Sequence, residues 1–304
     1  MKPPRFEYER PESLQEVVSL RARHSGDSVL LAGGQSLLPL LNFRLASPAV
    51  VIDLGAVPEL SYIEERDGGI AVGAMTRQRD LELHPRAEAL NPLIRETLVH
   101  VAHGVVRNRG TVGGSIAHAD ASAELPALFT ALDGRARVRG AGGEREITGG
   151  DLFRFHMTSA LEPDEVLCEV WFPALASGAG YAFVEAARRH GDYALCGVCA
   201  TVTVDHQITG ARLAYSGVAT RPLRAPEAEQ ALVGQVPSDD VLAAAGRAAR
   251  EVVGVGDDYV ASREYRRHLV ERLTIRALRE AIGKARDHRG QGFMPYGVIT
   301  EEEA

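Results

Sequence analysis

Between Arg109 and Pro126 the chain carries almost nothing bulky. A Gly113-Gly114 pair sits between two hydroxyls, Thr111 and Ser115, and the run closes on a carboxylate, Glu124, just ahead of Pro126. Small residues let the backbone approach a ligand closely and aim amide N–H groups at it, which suits an anion. An ordinary glycine-rich connection has the same composition, because short glycine motifs are weak evidence alone. A second stretch of the same character lies upstream: a short apolar run, Val29 to Leu31, leads into Ala32, Gly33, Gly34, Gln35 and Ser36 and then into the apolar Leu37 to Leu41. Strand, glycine turn and helix in that order also point backbone donors outward at a helix start, where Ser36 can cap or bind. Two such cradles in one half of a chain are what a diphosphate needs if backbone amides neutralise it.

Other chemistries are poorly served. G-x-G-x-x-G and G-x-x-x-x-G-K-[ST] are both absent, which argues against a Rossmann nicotinamide site and a P-loop ATPase. Cys196 and Cys199 have redox spacing, but they sit in a β-rich run without the helix start that lowers a thiol pKa, so they read as buried structural thiols. With three cysteines in total, no second pair completes a zinc or iron–sulfur site, and His118 has no partner histidine at metal spacing, so no metal is assigned. The formal charge of -7, from 34 Lys plus Arg against 41 Asp plus Glu, gives no broad cationic surface for nucleic acid. Neither a secretory leader nor a bilayer-length apolar run is legible, and the reading is cytoplasmic.

At 304 residues, 45% hydrophobic and 25% charged, the chain has room for two domains. Ser13 and Glu16 form a capping box ahead of a helix reaching about His24, and Gly26 stops it. With strands at Val29 to Leu31 and Val50 to Leu54, the opening reads β-α-β. A hairpin follows, from Leu60 to Ile63 and Ile70 to Val72, with Asp67-Gly68-Gly69 between them signalling a turn of the primed type. Thr76 is placed to cap a short helix, and Asn91-Pro92 to open one whose face carries Leu93, Ile94, Thr97, Leu98 and Val101. Another helix is expected from Ala127 to about Leu132, then paired strands around Gly142-Gly143 and a strand from Val166 to Phe172. Residues 173–180 are small and unpatterned and mark a domain boundary. Beyond them come three strands, Tyr181 to Ala187, Cys196 to Val204 and Ala211 to Val218, and then helices from about Pro226 to Arg286. Ser238 and Ser262 serve as caps, with an apolar stripe at Leu269, Leu273, Leu278 and Ile282. Residues 287–304 form a polar tail, acidic at its end.

Ala32 to Ser36, Thr111 to Ser115 and Glu124 to Pro126, together with Arg188 to Ala194 and Ser262 to Arg267 in the second half, resemble the FAD-binding medium subunit of molybdenum hydroxylases. That group includes carbon monoxide dehydrogenase, xanthine dehydrogenase and enzymes oxidising N-heterocycles or aldehydes. The resemblance spans nearly the whole chain. It implies an α+β architecture: a PCMH-type, two-lobed FAD-binding domain over residues 1–175, then a three-stranded antiparallel sheet with a helical bundle over 180–286.

The resemblance also implies a cofactor set. Ala32, Gly33, Gly34, Gln35 and Ser36 would hold the diphosphate together with Thr111, Val112, Gly113, Gly114 and Ser115, with Ala117 and Asp120 beyond them. Glu124 would lie near the adenosine side, where a carboxylate suits ribose hydroxyls, though it would equally serve as a cap for the helix at Pro126. Val101 and Leu167 would pack on the cofactor, and Asp192 and Tyr193 would lie by the isoalloxazine ring. Val184 stands where xanthine-oxidising relatives carry a lysine. The implied role is electron transfer in a heterotrimer, paired as a dimer of heterotrimers. A large partner would hold molybdenum, a small partner [2Fe-2S] clusters, and FAD here would pass electrons to NAD+, oxygen or a quinone. The alternatives are a self-contained PCMH-type flavin oxidoreductase and a non-catalytic FAD-binding assembly module. No catalytic side chain is required, because the flavin carries the chemistry.

Overall fold

A computed structural model of the chain describes residues 2–287, so the polar tail beyond Asp287 lies outside the described residues. The first lobe comprises β1 (Glu7–Glu9), α1 (Leu14–Arg23), β2 (Ser28–Leu31), α2 (Leu37–Asn42) and β3 (Val50–Asp53), with the strands parallel in the order β1-β3-β2. Ser13 Oγ accepts from the Glu16 amide at 3.3 Å, while the Glu16 carboxylate turns back to the Glu12 amide at 2.8 Å, one residue upstream of the reciprocal bond a capping box makes. Val17 and Val18 of α1 pack with Val50 and Ile52 of β3 to form a small core.

The second lobe opens with the hairpin of β4 (Ile63–Arg66) and β5 (Gly69–Gly73). Asp67 and Gly68 have φ of 53° and 71°, the left-handed pair that a type I′ turn demands. Six short helices follow: α3 (Gln78–Glu82), α4 (Pro85–Leu90), α5 (Pro92–Leu98), α6 (Gly104–Arg107), α7 (Val112–His118) and α8 (Glu124–Ala131). Then come β6 (Arg135–Gly140), β7 (Gly143–Thr148), α9 (Gly149–Leu152), β8 (Phe153–Phe155), β9 (Thr158–Ser159) and β10 (Val166–Pro173). The principal sheet has the order β4-β5-β10-β6-β7, all antiparallel.

Several local expectations shift here. Thr76 does not cap α3: its hydroxyl accepts from the Tyr62 amide and donates to the Tyr62 carbonyl, tying the helix approach to β4 instead. α5 ends at Leu98, so Val101 lies beyond it rather than on its face. α8 begins at Glu124, with Pro126 inside its first turn, where a missing N–H costs no intrahelical bond.

The second domain consists of β11 (Gly180–Ala186), β12 (Cys196–Val204), β13 (Ile208–Ser216), β14 (Leu223–Arg224), α10 (Pro226–Leu232), α11 (Asp239–Ala249) and α12 (Arg263–Asp287). Its sheet has four strands, not the expected three, because the two-residue β14 pairs with Ala214 and Tyr215 and is too short to leave a periodic signal. Ser238 and Ser262 both cap, accepting from the amides of Val241 and Tyr265. One face of this sheet packs against the three helices, with Val184, Cys196, Tyr215 and Leu278 in one core. The other face places Phe183, Cys199 and Ala214 in the same core as Leu125 and Phe129 of the second lobe. β12 is therefore buried on both sides, and Cys196 and Cys199 point into different cores, out of reach of one another. Burial pushes both thiols up, and Cys168 to about 11, as buried structural cysteines require.

Candidate functional site

Between the two lobes, and closed at one end by the second domain, runs a cleft of ≈ 760 Å³. The loop after β2 and the start of α7 form its floor, touching each other: a Cβ on Gly33 would lie 2.4 Å from the Arg109 carbonyl oxygen. No residue but glycine fits that crossing, which joins two sequence-distant segments into one surface. Ala32, Gly33, Gly34, Gln35 and Ser36 line the cleft, as do Thr111, Gly113, Gly114, Ser115, Ala117, Asp120 and Glu124. Val101, Leu167 and the consecutive Asp192 and Tyr193 join them from three other parts of the chain. Val112 is the exception and a correction. Its side chain is fully buried in the lobe core and its amide donates to the Thr76 carbonyl at 3.0 Å, so it does not line the cleft.

The two glycine segments do different work. Among the described residues the amides of Gly33, Gly34, Gln35 and Ser36 find no hydrogen-bond acceptor, and Gly34 turns through φ +74°, a left-handed conformation suited to glycine. At α7 the Gly113 amide donates to the Ala74 carbonyl at 2.9 Å and the Gly114 amide to Thr111 Oγ1 at 3.0 Å. The expected pair of amide cradles is thus one cradle and one capped helix start, because α7 is packed against the β5–α3 turn. Gly113 is small for that packing: a Cβ there would meet Ala74 at 2.4 Å. Ser36 caps nothing, and its hydroxyl meets the Tyr193 phenol, which also meets Asp120. Tyr193 thereby reaches from the second domain to both lobes. Tyr193 is 58% exposed overall, and the covering of the ring's inner part together with the neighbouring Asp120 and Glu124 pushes its phenol up to about 12.

Glu124 is 4% exposed at the first turn of α8. Burial raises its carboxyl to about 7, reinforced by Glu185 and Asp120 and opposed by its own backbone amide and by His100. His100, 3.2 Å from Glu185, is raised by that bond, whereas burial lowers His118, which also lines the cleft. Glu124 and Asp120 both raise the Tyr193 phenol, so the three share one stretch of the cleft. Glu124 keeps company with Asp120, His100 and Glu185 and acts on Tyr193 from the second domain.

Sequence reasoning also passed over lining residues. Arg21, Ser28 and Val29 meet Glu162 and Pro163 along the cleft, and Gln78 enters from α3. Among the described residues the buried Gln78 Oε1 atom has no hydrogen-bond partner. Only its position in α3, beneath Gly110, brings it there, and no local pattern marks it. Free amides, hydroxyls and an unpartnered acceptor along one elongated slot fit FAD, whose diphosphate needs donors and whose flanking groups need both donors and acceptors.

Residues 4–175 match the family described as FAD binding domain in molybdopterin dehydrogenase, and residues 181–281 match the CO dehydrogenase flavoprotein C-terminal domain. The chain is 39% identical to the 6-hydroxypseudooxynicotine dehydrogenase complex subunit alpha of Paenarthrobacter nicotinovorans, covering 94% of this chain and 97% of that one. Among solved structures it resembles quinoline 2-oxidoreductase from Pseudomonas putida 86, with a TM-score of 0.90 at 38% identity over 96% of this chain and 100% of that one. It also resembles carbon monoxide dehydrogenase from Hydrogenophaga pseudoflava, with a TM-score of 0.91 at 36% identity over 93% and 99%.

Proposed function

The chain belongs to the family of FAD-binding medium subunits of molybdenum hydroxylase complexes, and on that premise we propose that it carries electrons from the [2Fe-2S] clusters of a small partner subunit to an external acceptor. FAD, when bound, supplies the two-electron to one-electron exchange that such a relay needs. The observation that carries the reading is the cleft itself, whose floor joins four free amides to a capped helix start at the Gly33–Arg109 crossing. Gly33 to Ser36 hold the diphosphate through those amides. Thr111 and Ser115 add hydroxyls, and Gly113 and Gly114 keep the wall low. Val101, Asp120, Glu124, Leu167, Asp192 and Tyr193 surround the ring end, where a Glu124 carboxyl balanced near neutrality both accepts and donates hydrogen bonds. The far end, at Arg21, Ser28 and Pro163, takes the adenosine.

The three thiols are buried at separate places in the cores, a distribution that holds no iron–sulfur cluster. The clusters and the molybdenum centre belong to the partners, and two such heterotrimers pair in the cytoplasm. Residues 1–175 form the FAD-binding unit and 180–286 the unit that closes its ring end. Substrate choice rests with the large molybdenum subunit, and this chain accepts electrons whatever the substrate. The test is purification of the native assembly. It should carry two further polypeptides, flavin absorbance in the visible region, and a flavin that bleaches on addition of the complex's substrate. A chain that purifies alone, active on an organic substrate, would favour the self-contained oxidoreductase instead. Preparations that neither contain FAD nor take it up would overturn the reading altogether.

A further inference from the structure

The Val101–Ala102 turn that lines the ring end of the cleft is held in a conformation its residues do not favour. Ala102 has φ of 44°, in the left-handed region that alanine enters only under constraint. The constraint is a guanidinium. Arg107 Nη1 donates to the carbonyl oxygens of Val101 at 2.8 Å and Ala102 at 3.2 Å. The rest of the fork is spent on Glu82, with Nε 2.7 Å from Oε2 and Nη2 3.4 Å from Oε1. Both side chains are buried, at 9% and 4% exposure, and neither lines the cleft. A buried ion pair whose donors also satisfy two backbone carbonyls fixes geometry far better than an exposed pair, because a planar fork fully engaged has one orientation.

What rests on this turn is the second domain's contribution to the site. Gly191, at φ +85°, lies so close that a Cβ there would meet His103 Cε1 at 2.8 Å and the Ala102 carbonyl carbon at 3.1 Å. Asp192 and Tyr193 follow directly and line the cleft. We propose that the buried Arg107–Glu82 pair is a positioning device for the cofactor: it clamps the Ala102 turn and, through the contact with Gly191, sets where Asp192 and Tyr193 meet the ring end. This deepens the FAD reading and rests on it. Arg107 does not itself line the cleft, so its influence travels through the turn.

The experiment uses the full chain in its native assembly, with FAD removed and titrated back. Arg107→Lys keeps the charge but loses the fork. It should weaken FAD binding by about tenfold or more, equivalent to roughly 1.4 kcal/mol, and alter the visible flavin spectrum. Adding Ala102→Gly to that variant should recover most of the affinity, because glycine adopts the turn without a clamp. Unchanged affinity and spectrum in Arg107→Lys would overturn the proposal. So would a variant whose FAD-free form melts well below the wild type and whose affinity Ala102→Gly fails to restore, since the pair would then be merely structural. A wild-type assembly that binds no FAD would instead sink the functional reading.

Discussion

At the scale of single residues, the site depends on what cannot be added to it. A Cβ on Gly114 would fall 2.6 Å from Thr111 Oγ1, the atom that caps α7, and 3.4 Å from the Ala32 methyl. Gly114→Val should therefore abolish FAD retention by destroying the cap and intruding on the floor, while the second domain stays folded. Absorbance of the purified variant, with near-UV circular dichroism of the second-domain tyrosines, checks both halves; stoichiometric FAD in that variant would show the site to be elsewhere. Glu124 supplies a pH prediction. Its carboxyl is raised from 4.5 to about 7, so the folded state binds more protons than the unfolded chain between those values. The stability this contributes is present below about pH 4.5 and is lost as pH rises through 7, on the order of 3 kcal/mol by the linkage relation. Glu124→Gln should flatten that part of the FAD-free chain's stability profile and leave the variant the more stable of the two at pH 8. Chemical denaturation at pH 5 and pH 8 reads the difference; a wild-type slope retained in the variant would refute the assignment.

At the scale of elements, β12 decides the cysteine question. Residues three apart on a strand face opposite sides, and here each side is a core. Under native conditions a thiol reagent should modify neither Cys196 nor Cys199 on the timescale of surface labelling, and no disulfide should form on mild oxidation; rapid labelling of both would show that the strand is open. Tyr215 of β13 ties the sheet to α12 through Thr274 at 2.8 Å, and Thr274 also bonds the Val270 carbonyl. Tyr215→Phe leaves that second bond intact, so it should cost about 1 kcal/mol and no more, measured as a shift in denaturation midpoint at constant slope.

For the whole molecule, the two domains share a core and are further tied at Glu96, whose Oε1 accepts from the Phe183 amide at 3.0 Å while Oε2 binds Lys284 on α12. One carboxylate in the first domain thus holds a strand edge and a helix of the second. Glu96→Ala should loosen the closure of the ring end, leaving the buried Phe183 amide unpaired. Thermal unfolding followed by flavin release and by far-UV dichroism should then separate into two transitions that coincide in the wild type; coincidence in the variant would show the shared core to be sufficient alone.

The sequence by itself determined much of this protein. Glycine pairs, a capping box, a primed turn and a domain-boundary run are local signals written in neighbouring residues, and together with motif order they led to the family, the cofactor and the glycine-rich part of the cleft lining, though not to the Arg21, Gln78 and Glu162 to Pro163 side of it. Tertiary structure decided the rest. Whether an amide is free depends on what packs behind it, so only the fold shows that Gly33 to Ser36 offer donors while Gly113 and Gly114 spend theirs on Ala74 and Thr111. Val112 carries the same motif as its neighbours yet faces the core, because a helix exposes one side only. Glu124 belongs with Tyr193, and Arg107 holds a turn it does not adjoin in the cleft, since those relations arise from segments meeting across long stretches of chain. The opening glycine stretch is therefore a capped helix start forming one wall of the site, and its amides are already spoken for.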